Sequence, residues 1–361
     1  MALIALSIPW RAGATPPGSI NAPLNVELDE IRERLRSFIA EQGGFATVII
    51  ENLRPMAGGA SRQILSFDGI VEKGGLTVQR GMVLRRDLAG HKIETRRRDE
   101  FMVLRAAYQE GVPVPEVLWL CEDPSVLGSD FFIMERIEGE SLARRLLRDE
   151  TYAHARQVIP EQLAQILARI HQIDVKHYRL DFLPAPDGSP ALTELSRYEE
   201  IYRELALEPH PAFELAIRWL RAHIPGSARQ TLVHGDYRIG NIMFGPEGVR
   251  AILDWELPHL GDPMEDVGWI AVRAWRFGED DKPVGGLATR EEFWQAYERA
   301  SGWSVDREAA RFWEVFGNLR WGIFTISQSR SAIDGSVPSI ELASIGRRTA
   351  ETELELLNLI E

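Results

Sequence analysis

The chain has 361 residues, of which 45% are hydrophobic and 26% charged, and its formal charge at pH 7 is −13. This composition excludes an intrinsically disordered chain, and the length is sufficient for two domains of ordinary size. The acidic balance disfavours nucleic acid and anionic membrane surfaces as partners, so we expect neither. The single cysteine, Cys121, excludes a disulfide within the chain and a multi-thiolate metal site. It lies in an apolar, strand-like run, which predicts a buried thiol.

The sequence also predicts a cytoplasmic protein. No apolar run approaches the roughly 20 residues that a membrane-spanning helix needs. The apolar stretch from Ala2 to Trp10 has no basic residues before it and is short for the core of a signal peptide.

The first part of the chain predicts a β-rich layer with one main helix. An irregular arm rich in Pro, Gly and Ala is expected at residues 1–26. Apolar periodicity and β-branched runs then predict a helix at 27–41, strands at 46–53, 64–71 and 76–85, a helix at 95–109, and strands at 117–121 and 130–137. Gly74 and Gly75 predict a turn between the second and third strands. Residues 27–137 are therefore expected to form the N-terminal lobe.

From residue 138 onward the pattern becomes mostly helical. Ser141 is expected to be the N-cap of the first helix. Helical spacing continues at 160–172, 198–207, 213–223, 265–277, 290–300, 306–330 and 338–359, with short strands at 231–233 and 250–253. The predicted architecture is α+β, with residues 138–361 as a larger helical lobe. Its tryptophans, including Trp313 and Trp321, are expected in the core.

The strongest chemical signal is a His-Gly-Asp segment that ends in Asp236. Asn241 follows five residues later, and Asp254 ends a second apolar strand. Phosphoryl transfer requires a metal to neutralise phosphate charge, and Mg²⁺ prefers oxygen ligands such as a carboxylate and an amide carbonyl. It also requires a separate carboxylate that receives or orients the proton of the acceptor hydroxyl. One loop and one neighbouring strand end can bring all three groups to a single position.

His234-Gly235-Asp236 together with Leu253-Asp254-Trp255-Glu256 resembles the catalytic loop and metal-binding aspartate of the protein-kinase-like superfamily. The closer resemblance is to the aminoglycoside phosphotransferase and choline kinase branch, near the kinase domains linked to acyl-CoA dehydrogenases. The resemblance implies a two-lobed fold, with a small antiparallel sheet and one main helix before a larger helical lobe that carries the catalytic loop and the acceptor site. It implies that Asp236 is the catalytic base, that Asn241 and Asp254 hold Mg²⁺, and that His234 braces the loop.

The resemblance also implies a nucleotide-binding hairpin in the N-terminal lobe. Gly58 and Gly59 would let the backbone approach phosphates closely, and Ser61 would complete the turn. The family often has Asn after this serine, whereas this chain has Arg62. The chain contains no Gly-x4-Gly-Lys-Ser/Thr segment, which disfavours a P-loop mechanism.

Arg85, on the third strand, occupies the position where kinases usually have the phosphate-binding lysine. A guanidinium group can bind phosphate in a bidentate way, so the replacement is chemically workable. Its expected ion-pair partner is Glu100, with Asp99 as the alternative. Backbone groups of Glu135 and Ile137 are expected to bind the adenine ring at the hinge.

Three further polar residues are expected to be structural. Asp262 precedes Pro263 and is expected to cap the following helix. Asp266 is expected to bond back to the catalytic loop. His171, near a helix C-terminus, is favoured there by the helix dipole.

The sequence therefore predicts an Mg²⁺- and ATP-dependent kinase that phosphorylates a hydroxyl group of a small molecule. GTP is an open alternative to ATP, and aminoglycosides, choline-like alcohols, sugars and hydroxyacyl thioesters all fit as acceptors. A nucleotide-binding pseudokinase or scaffold is a second reading, for which Arg85 is the main argument. A metal-dependent hydrolase using His234, Asp236 and Asp254 is a third, although the remaining histidines are scattered.

Overall fold

The computed structural model describes residues 24–56, 62–87, 96–226, 229–337 and 339–361. Gly58, Gly59 and Ser61 lie outside the described residues, as does most of the predicted N-terminal arm. The chain divides into two compact units. One contains the chain up to Gln109 together with Val114–Glu138, and the other contains Glu110–Pro113 and Gly139–Glu361.

The first unit is built on a five-stranded antiparallel sheet. Its strands are β1 (Thr47–Pro55), β2 (Arg62–Lys73), β3 (Leu76–Asp87), β4 (Val117–Cys121) and β5 (Phe131–Glu135), and its helices are α1 (Leu24–Gly43), α2 (Arg97–Gln109) and α3 (Pro124–Leu127). The strand order across the sheet is β1-β2-β3-β5-β4. Gly74 and Gly75 have φ values of 60° and 79°, the left-handed backbone that a tight turn between β2 and β3 requires.

The core of this unit lies between α1 and one face of the sheet. The apolar face of α1 buries Leu35, Phe38 and Ile39, as its spacing predicts. Phe38 contacts Phe131 of β5 edge to face, with ring centroids 5.0 Å apart. The next residue of the strand, Phe132, points to the opposite face. The predicted burial of Cys121 is also confirmed, and burial raises the pKa of its thiol.

The second unit is mostly helical. Its helices are α4 (Ala143–Arg148), α5 (Ala153–His171), α6 (Pro190–Leu205), α7 (Pro211–Ala222), α8 (Met264–Trp269), α9 (Arg290–Ser301), α10 (Arg307–Ile333), α11 (Ile340–Ile345) and α12 (Thr349–Ile360). Its strands are β6 (Thr231–Val233), β7 (Ile242–Gly245), β8 (Gly248–Ile252) and β9 (His259–Gly261), paired β6 with β9 and β7 with β8. Short 3₁₀ turns at Ile239–Asn241 and Arg273–Trp275 follow β6 and α8, respectively. No helix among the described residues is long and apolar enough to cross a membrane.

Helix α10 is the centre of this unit. Asp306 caps its start by accepting hydrogen bonds from the amides of Glu308 and Ala309. Its residues are then buried almost continuously, including Trp313 and Trp321, whose core positions are thereby confirmed. Trp294 and Trp303, which were also expected in the core, are only half-buried. A helix buried all round can contact several neighbours at once, and α10 packs against α6, α7, α8, α11 and α12.

Some predicted boundaries are wrong. Ser141 is not the N-cap of α4, because the Glu140 carboxylate accepts from the amides of Ser141 and Leu142, and the helix begins after Leu142. The helix predicted at 265–277 ends at Trp269, and Phe277 has a left-handed φ of 53°. The helix predicted at 338–359 is divided by a 3₁₀ turn at Gly346–Arg348. Strands β7 and β9 were not predicted.

Candidate active site

The His-Gly-Asp segment leaves the buried strand β6 through a turn that requires glycine. Leu232 and Val233 are fully buried, which fixes the direction of the strand. Gly235 then has a φ of 78°, and a Cβ atom there would collide with the carbonyl oxygen of Leu257. The local backbone is therefore determined by sterics, and it places Asp236 at the start of the loop that ends in the Ile239–Asn241 turn.

The Asp266 carboxylate bonds back to the backbone of this loop, as the sequence predicts. Its Oδ2 accepts from the amide of His234 at 2.8 Å, and its Oδ1 accepts from the amide of Gly235 at 3.0 Å. Burial alone would raise the pKa of Asp266, but the His171 ring and the His234 amide lower it, so the carboxylate stays ionised. Asp262 is not the N-cap of α8, which is Pro263, but its Oδ1 accepts from the first amide of the helix, that of Met264, at 2.9 Å.

His171 supports the same carboxylate from α5. Burial raises the pKa of Tyr297, so its hydroxyl stays protonated and can donate to Nδ1 of His171 at 2.8 Å. The proton then lies on Nε2 of His171, which is 3.2 Å from Oδ2 of Asp266. His171 is thus part of the support of the loop.

His234 connects the loop to the strand end that carries Asp254. Its Nδ1 accepts from the amide of Asp236, and its Nε2 lies 3.2 Å from the carbonyl oxygen of Leu253. Burial lowers the pKa of His234, and a neutral ring with its proton on Nε2 satisfies both contacts. The contacts are those of a brace between two segments.

The Asp236 carboxylate is buried and held by three side chains. Oδ1 accepts from Trp269 Nε1 at 2.8 Å and from Arg238 Nε at 2.9 Å. Oδ2 accepts from Asn241 Nδ2 at 2.5 Å. With these bonds in place the carboxylate has a single orientation.

Sequence reasoning missed Arg238 and Trp269. The sequence offered only the two-residue spacing of Arg238 from Asp236; the structure adds that Arg238 has extended backbone angles, φ −151° and ψ 160°. Residues two apart in extended backbone point to the same side. Trp269 is 33 positions away on α8, and no local pattern relates it to Asp236.

The structure brings Asn241 and the segment of Asp254 together. Asn241 Nδ2 also donates to the carbonyl oxygen of Asp236 at 3.0 Å, so its amide orientation is fixed and its Oδ1 points away from Asp236. The carbonyl oxygen of Asn241 accepts from the amide of Leu253 at 2.8 Å, and Asp254 follows directly. Asp254 has a φ of 64°, a left-handed conformation that is uncommon for a residue other than glycine and concentrates at functional sites.

The two residues Arg238 and Trp269, which bind Asp236, belong to a group of stacked arginines and tryptophans. We call this group the aromatic–arginine cluster (Arg238, Trp269, Trp275, Arg320, Trp321). Arg238 stacks on Trp275 and Arg320 on Trp269, each with the guanidinium carbon 4.6 Å from the ring centroid. The rings of Trp269 and Trp275 are 5.4 Å apart, and those of Trp275 and Trp321 are 4.8 Å apart. These contacts stabilise Arg238 and Trp269, two of the three residues that hold the Asp236 carboxylate.

In the first unit, the predicted ion pair of Arg85 is present. Arg85 Nη1 lies 2.5 Å from Oε1 of Glu100, which is the partner in place of the alternative, Asp99. The other carboxylate oxygen of Glu100 pairs with Arg97, a residue that the sequence did not single out, and Arg97 Nε also lies 2.9 Å from Asp87. Arg97 and Glu100 are fully buried, so this part of α2 is anchored by charge.

Glu135 and Ile137 lie at the end of β5 and directly after it. The Glu135 amide already donates to the carbonyl oxygen of Glu116 at 2.9 Å, and the Arg136 amide donates to Gly81 at 2.9 Å. Of the two backbone groups of Glu135, the amide is therefore occupied. A ligand at this position would be bound through the carbonyl oxygen.

An antiparallel sheet with the helices α1 and α2, followed by a helical unit that carries the His-Gly-Asp loop, is a protein-kinase-like fold. The model of the phosphotransferase enzyme family matches residues 73–303. The chain belongs to that family.

Two similar proteins show how far the likeness extends. The chain is 34% identical over 239 residues to acyl-CoA dehydrogenase family member 10 of Mus musculus, an alignment that covers 60% of this chain and 21% of the mouse protein. The chain thus spans about a fifth of that relative. A crystal structure from Ralstonia eutropha, described as that of a putative aminoglycoside phosphotransferase, superposes with a TM-score of 0.74 at 25% identity, covering 91% of this chain and 97% of that one.

A thermostable aminoglycoside phosphotransferase variant, solved with AMP-PNP and hygromycin B, superposes with a TM-score of 0.54. Its identity is 18%, and the superposition covers 90% of this chain and 97% of that one. At this identity the likeness establishes the fold.

A partly buried ion pair next to the aromatic–arginine cluster gives the helical unit a pH dependence. His259 Nε2 lies 3.0 Å from Glu265 Oε2, and its Nδ1 lies 3.0 Å from the carbonyl oxygen of Leu257. Burial alone would lower the pKa of His259, but the Glu265 carboxylate raises it to about 9. Glu265 also lies 3.3 Å from Arg320 of the cluster.

We expect the stabilising contribution of His259 to disappear at high pH. Because its pKa is higher in the folded chain than the ordinary 6.5, the contribution is complete below about pH 6.5 and is lost as pH rises through about 9. His259→Gln should lower the free energy of unfolding by about 1–3 kcal/mol at pH 6. Urea unfolding at pH 6 and pH 10 should show this difference shrinking, with the exposed His154→Gln as control. A difference that stays constant with pH would contradict the assignment.

Proposed function

We propose that the chain transfers the γ-phosphoryl group of ATP to a hydroxyl group of a small molecule, with Asp236 as the base. The observation that carries the proposal is the Asp236 carboxylate, held in one orientation by Arg238, Trp269 and Asn241. Membership of the phosphotransferase family supports it. A structural neighbour that holds AMP-PNP and hygromycin B supports the nucleotide and the small-molecule acceptor as a pair.

The oxygen donors at the loop suit a magnesium ion. The side-chain nitrogen of Asn241, Nδ2, is occupied by Asp236, which leaves the side-chain oxygen Oδ1 for a metal, and Asp254 directly follows Leu253, whose amide bonds to the Asn241 backbone. Both are hard oxygen donors, and Mg²⁺ in kinases takes its remaining ligands from phosphates and water. We propose that these two residues hold Mg²⁺, which would neutralise charge on the phosphates when bound.

Asp236 would receive or orient the proton of the acceptor hydroxyl. Its three donors spare the reaction the cost of ordering the carboxylate. Arg238 adds a buried positive charge at the same place, which would offset the negative charge that gathers there during transfer. In this account Arg238 and Trp269 set the geometry, and Asp236 acts on the acceptor.

The first unit would bind the nucleotide. Arg85, oriented by Glu100, would bind the α- and β-phosphates. The Glu135 carbonyl and the Ile137 amide would bind adenine, and Gly58, Gly59 and Ser61 remain proposed phosphate contacts. We assign nucleotide binding to residues 27–137, and catalysis and acceptor binding to residues 138–361.

Replacing the base should stop turnover without removing nucleotide binding. Asp236→Asn keeps the shape of the side chain but removes the charge that accepts a proton, and we expect the rate to fall by about 10²–10⁴-fold. A coupled assay of ADP formation over a panel of hydroxyl acceptors measures turnover, and calorimetry with AMP-PNP and Mg²⁺ measures binding. The exposed Asp187→Asn serves as control. Undiminished turnover by Asp236→Asn would overturn the role of Asp236.

Asp254 can be tested through the metal. Asp254→Asn is suitable because Asn tolerates the left-handed backbone at this position while losing the charge. Mg²⁺ should strengthen AMP-PNP binding to the wild type, and this gain should fall by roughly tenfold or more in the variant. An unchanged Mg²⁺ dependence in calorimetry would argue against a metal role.

Arg85 separates the kinase from its main alternative. A nucleotide-binding protein without turnover is favoured by one feature, the arginine where lysine is usual. If Arg85 binds phosphate, Arg85→Lys should keep part of the activity and Arg85→Ala should raise the KM for ATP by roughly tenfold or more. Equal effects of the two substitutions would show that the cation does not contact the nucleotide, and wild type that binds ATP without turnover would favour the alternative.

A further inference from the structure

The C-terminal helix reaches the segment behind the catalytic loop through one carboxylate. Glu355 of α12 is buried, and its two oxygens bind different arginines. Oε2 lies 3.0 Å from Arg273 Nη1, and Oε1 lies 2.8 Å from Arg276 Nη2. Both arginines belong to the short segment after α8, and Trp275 lies between them in sequence. Glu355 therefore bridges two arginines that lie on either side of Trp275 in sequence; we call Glu355, Arg273 and Arg276 the Glu355 clamp.

Trp275 is connected to the catalytic carboxylate by two routes. Arg238 stacks on its ring at 4.6 Å, and the Nε of Arg238 binds the Asp236 carboxylate. Trp269, 5.4 Å from Trp275, donates its indole N–H to the same carboxylate. A displacement of Trp275 would thus be felt by two of the three donors that orient Asp236.

A second carboxylate completes the clamp. Glu314 of α10 lies 3.0 Å from Arg276 Nη2 and binds Arg290 through both oxygens at 2.6 Å. Arg276 also donates to the carbonyl oxygen of Ala271 at 3.1 and 2.9 Å. The side chains of Arg276, Glu314 and Glu355 are each at most 5% exposed. Buried pairs of this kind are a costly way to add stability, and their best-attested use is to specify one arrangement.

We infer that Glu355 is a positioning residue for catalysis, acting through Arg273 and Arg276 on Trp275 and so on the Arg238 and Trp269 bonds to Asp236. The inference rests on the proposed function. It extends the working site to α12, which lies beyond residues 73–303, the segment matched by the family model. The residues that bond the backbone of the loop lie within that segment, whereas the orientation of the Asp236 carboxylate depends also on α12.

The test compares Glu355→Gln with Glu351→Gln, one turn earlier on the same helix. Glu351 pairs with Arg348 at 3.3 Å on the surface and acts on Arg273 only through space, so the control removes the same charge from the same helix without breaking a bond of the clamp. Two readouts are used on the full chain. One is kcat and KM for ATP in the acceptor assay, and the other is the ¹H–¹⁵N signals of the Trp269 and Trp275 indoles, assigned with Trp→Phe variants.

We expect Glu355→Gln to lower kcat by about tenfold or more with KM for ATP within about twofold of the wild type. We also expect it to shift both indole signals, while Glu351→Gln leaves kcat and both signals unchanged. A merely structural role would lower the melting temperature without separating kcat from KM. Wild-type kcat and wild-type indole signals in Glu355→Gln would overturn the inference.

A second variant covers loss of folding. If Glu355→Gln does not fold, Glu355→Asp keeps the charge and shortens the side chain by one methylene, so that it cannot hold both arginines as before. It should fold, with a reduced kcat and a shifted Trp275 signal; full activity would overturn the inference. Failure of the proposed function has a different signature, since the wild type itself would then show no phosphoryl transfer to any acceptor.

Discussion

The loop that carries Asp236 depends on one buried carboxylate, that of Asp266. It binds the amides of His234 and Gly235, at the point where Gly235 turns the chain out of β6. A buried charge is stable only when its hydrogen bonds are satisfied, and here two backbone amides and the His171 ring satisfy it. Because these partners come from different parts of the chain, the form of the loop depends on the tertiary structure of the helical unit.

Two layers of contacts separate the position of Asp236 from its orientation. Asp266, His171 and His234 fix the backbone, whereas Arg238, Trp269 and Asn241 fix the carboxylate. The second layer rests in turn on the aromatic–arginine cluster and on the Glu355 clamp. Catalytic groups held within a few tenths of an ångström generally require such a supporting shell. The long buried helix α10 contributes Glu314, Arg320 and Trp321 to that shell, which gives a functional reason for its central place.

Features set by neighbouring residues could be predicted from the sequence, whereas contacts between residues distant in sequence could not. The lobe order, the strands and the loop residues follow from periodicity, glycine turns and a motif within twenty residues. The ion pair of Arg85 with Glu100 was also predictable, because a strand end and the start of α2 each offered one suitable charge. Trp269 and Glu355 were not, because each meets partners distant in sequence, with no spacing to reveal them. The end of helix α8 at Trp269 was also missed. The chain leaves the helix there and forms the short segment that carries Arg273 and Arg276.

The central claim is that Asn241 and Asp254 hold the metal while Asp236 stays clear of it and faces the acceptor. The most direct measurement is a crystal structure with AMP-PNP and Mn²⁺, in which anomalous scattering locates the ion. The account predicts a manganese peak within coordination distance of the Asp254 carboxylate and of Asn241 Oδ1, with Asp236 still bound to Arg238 and Trp269. A bound nucleotide whose metal is ligated by Asp236, or lies away from Asn241 and Asp254, would contradict it.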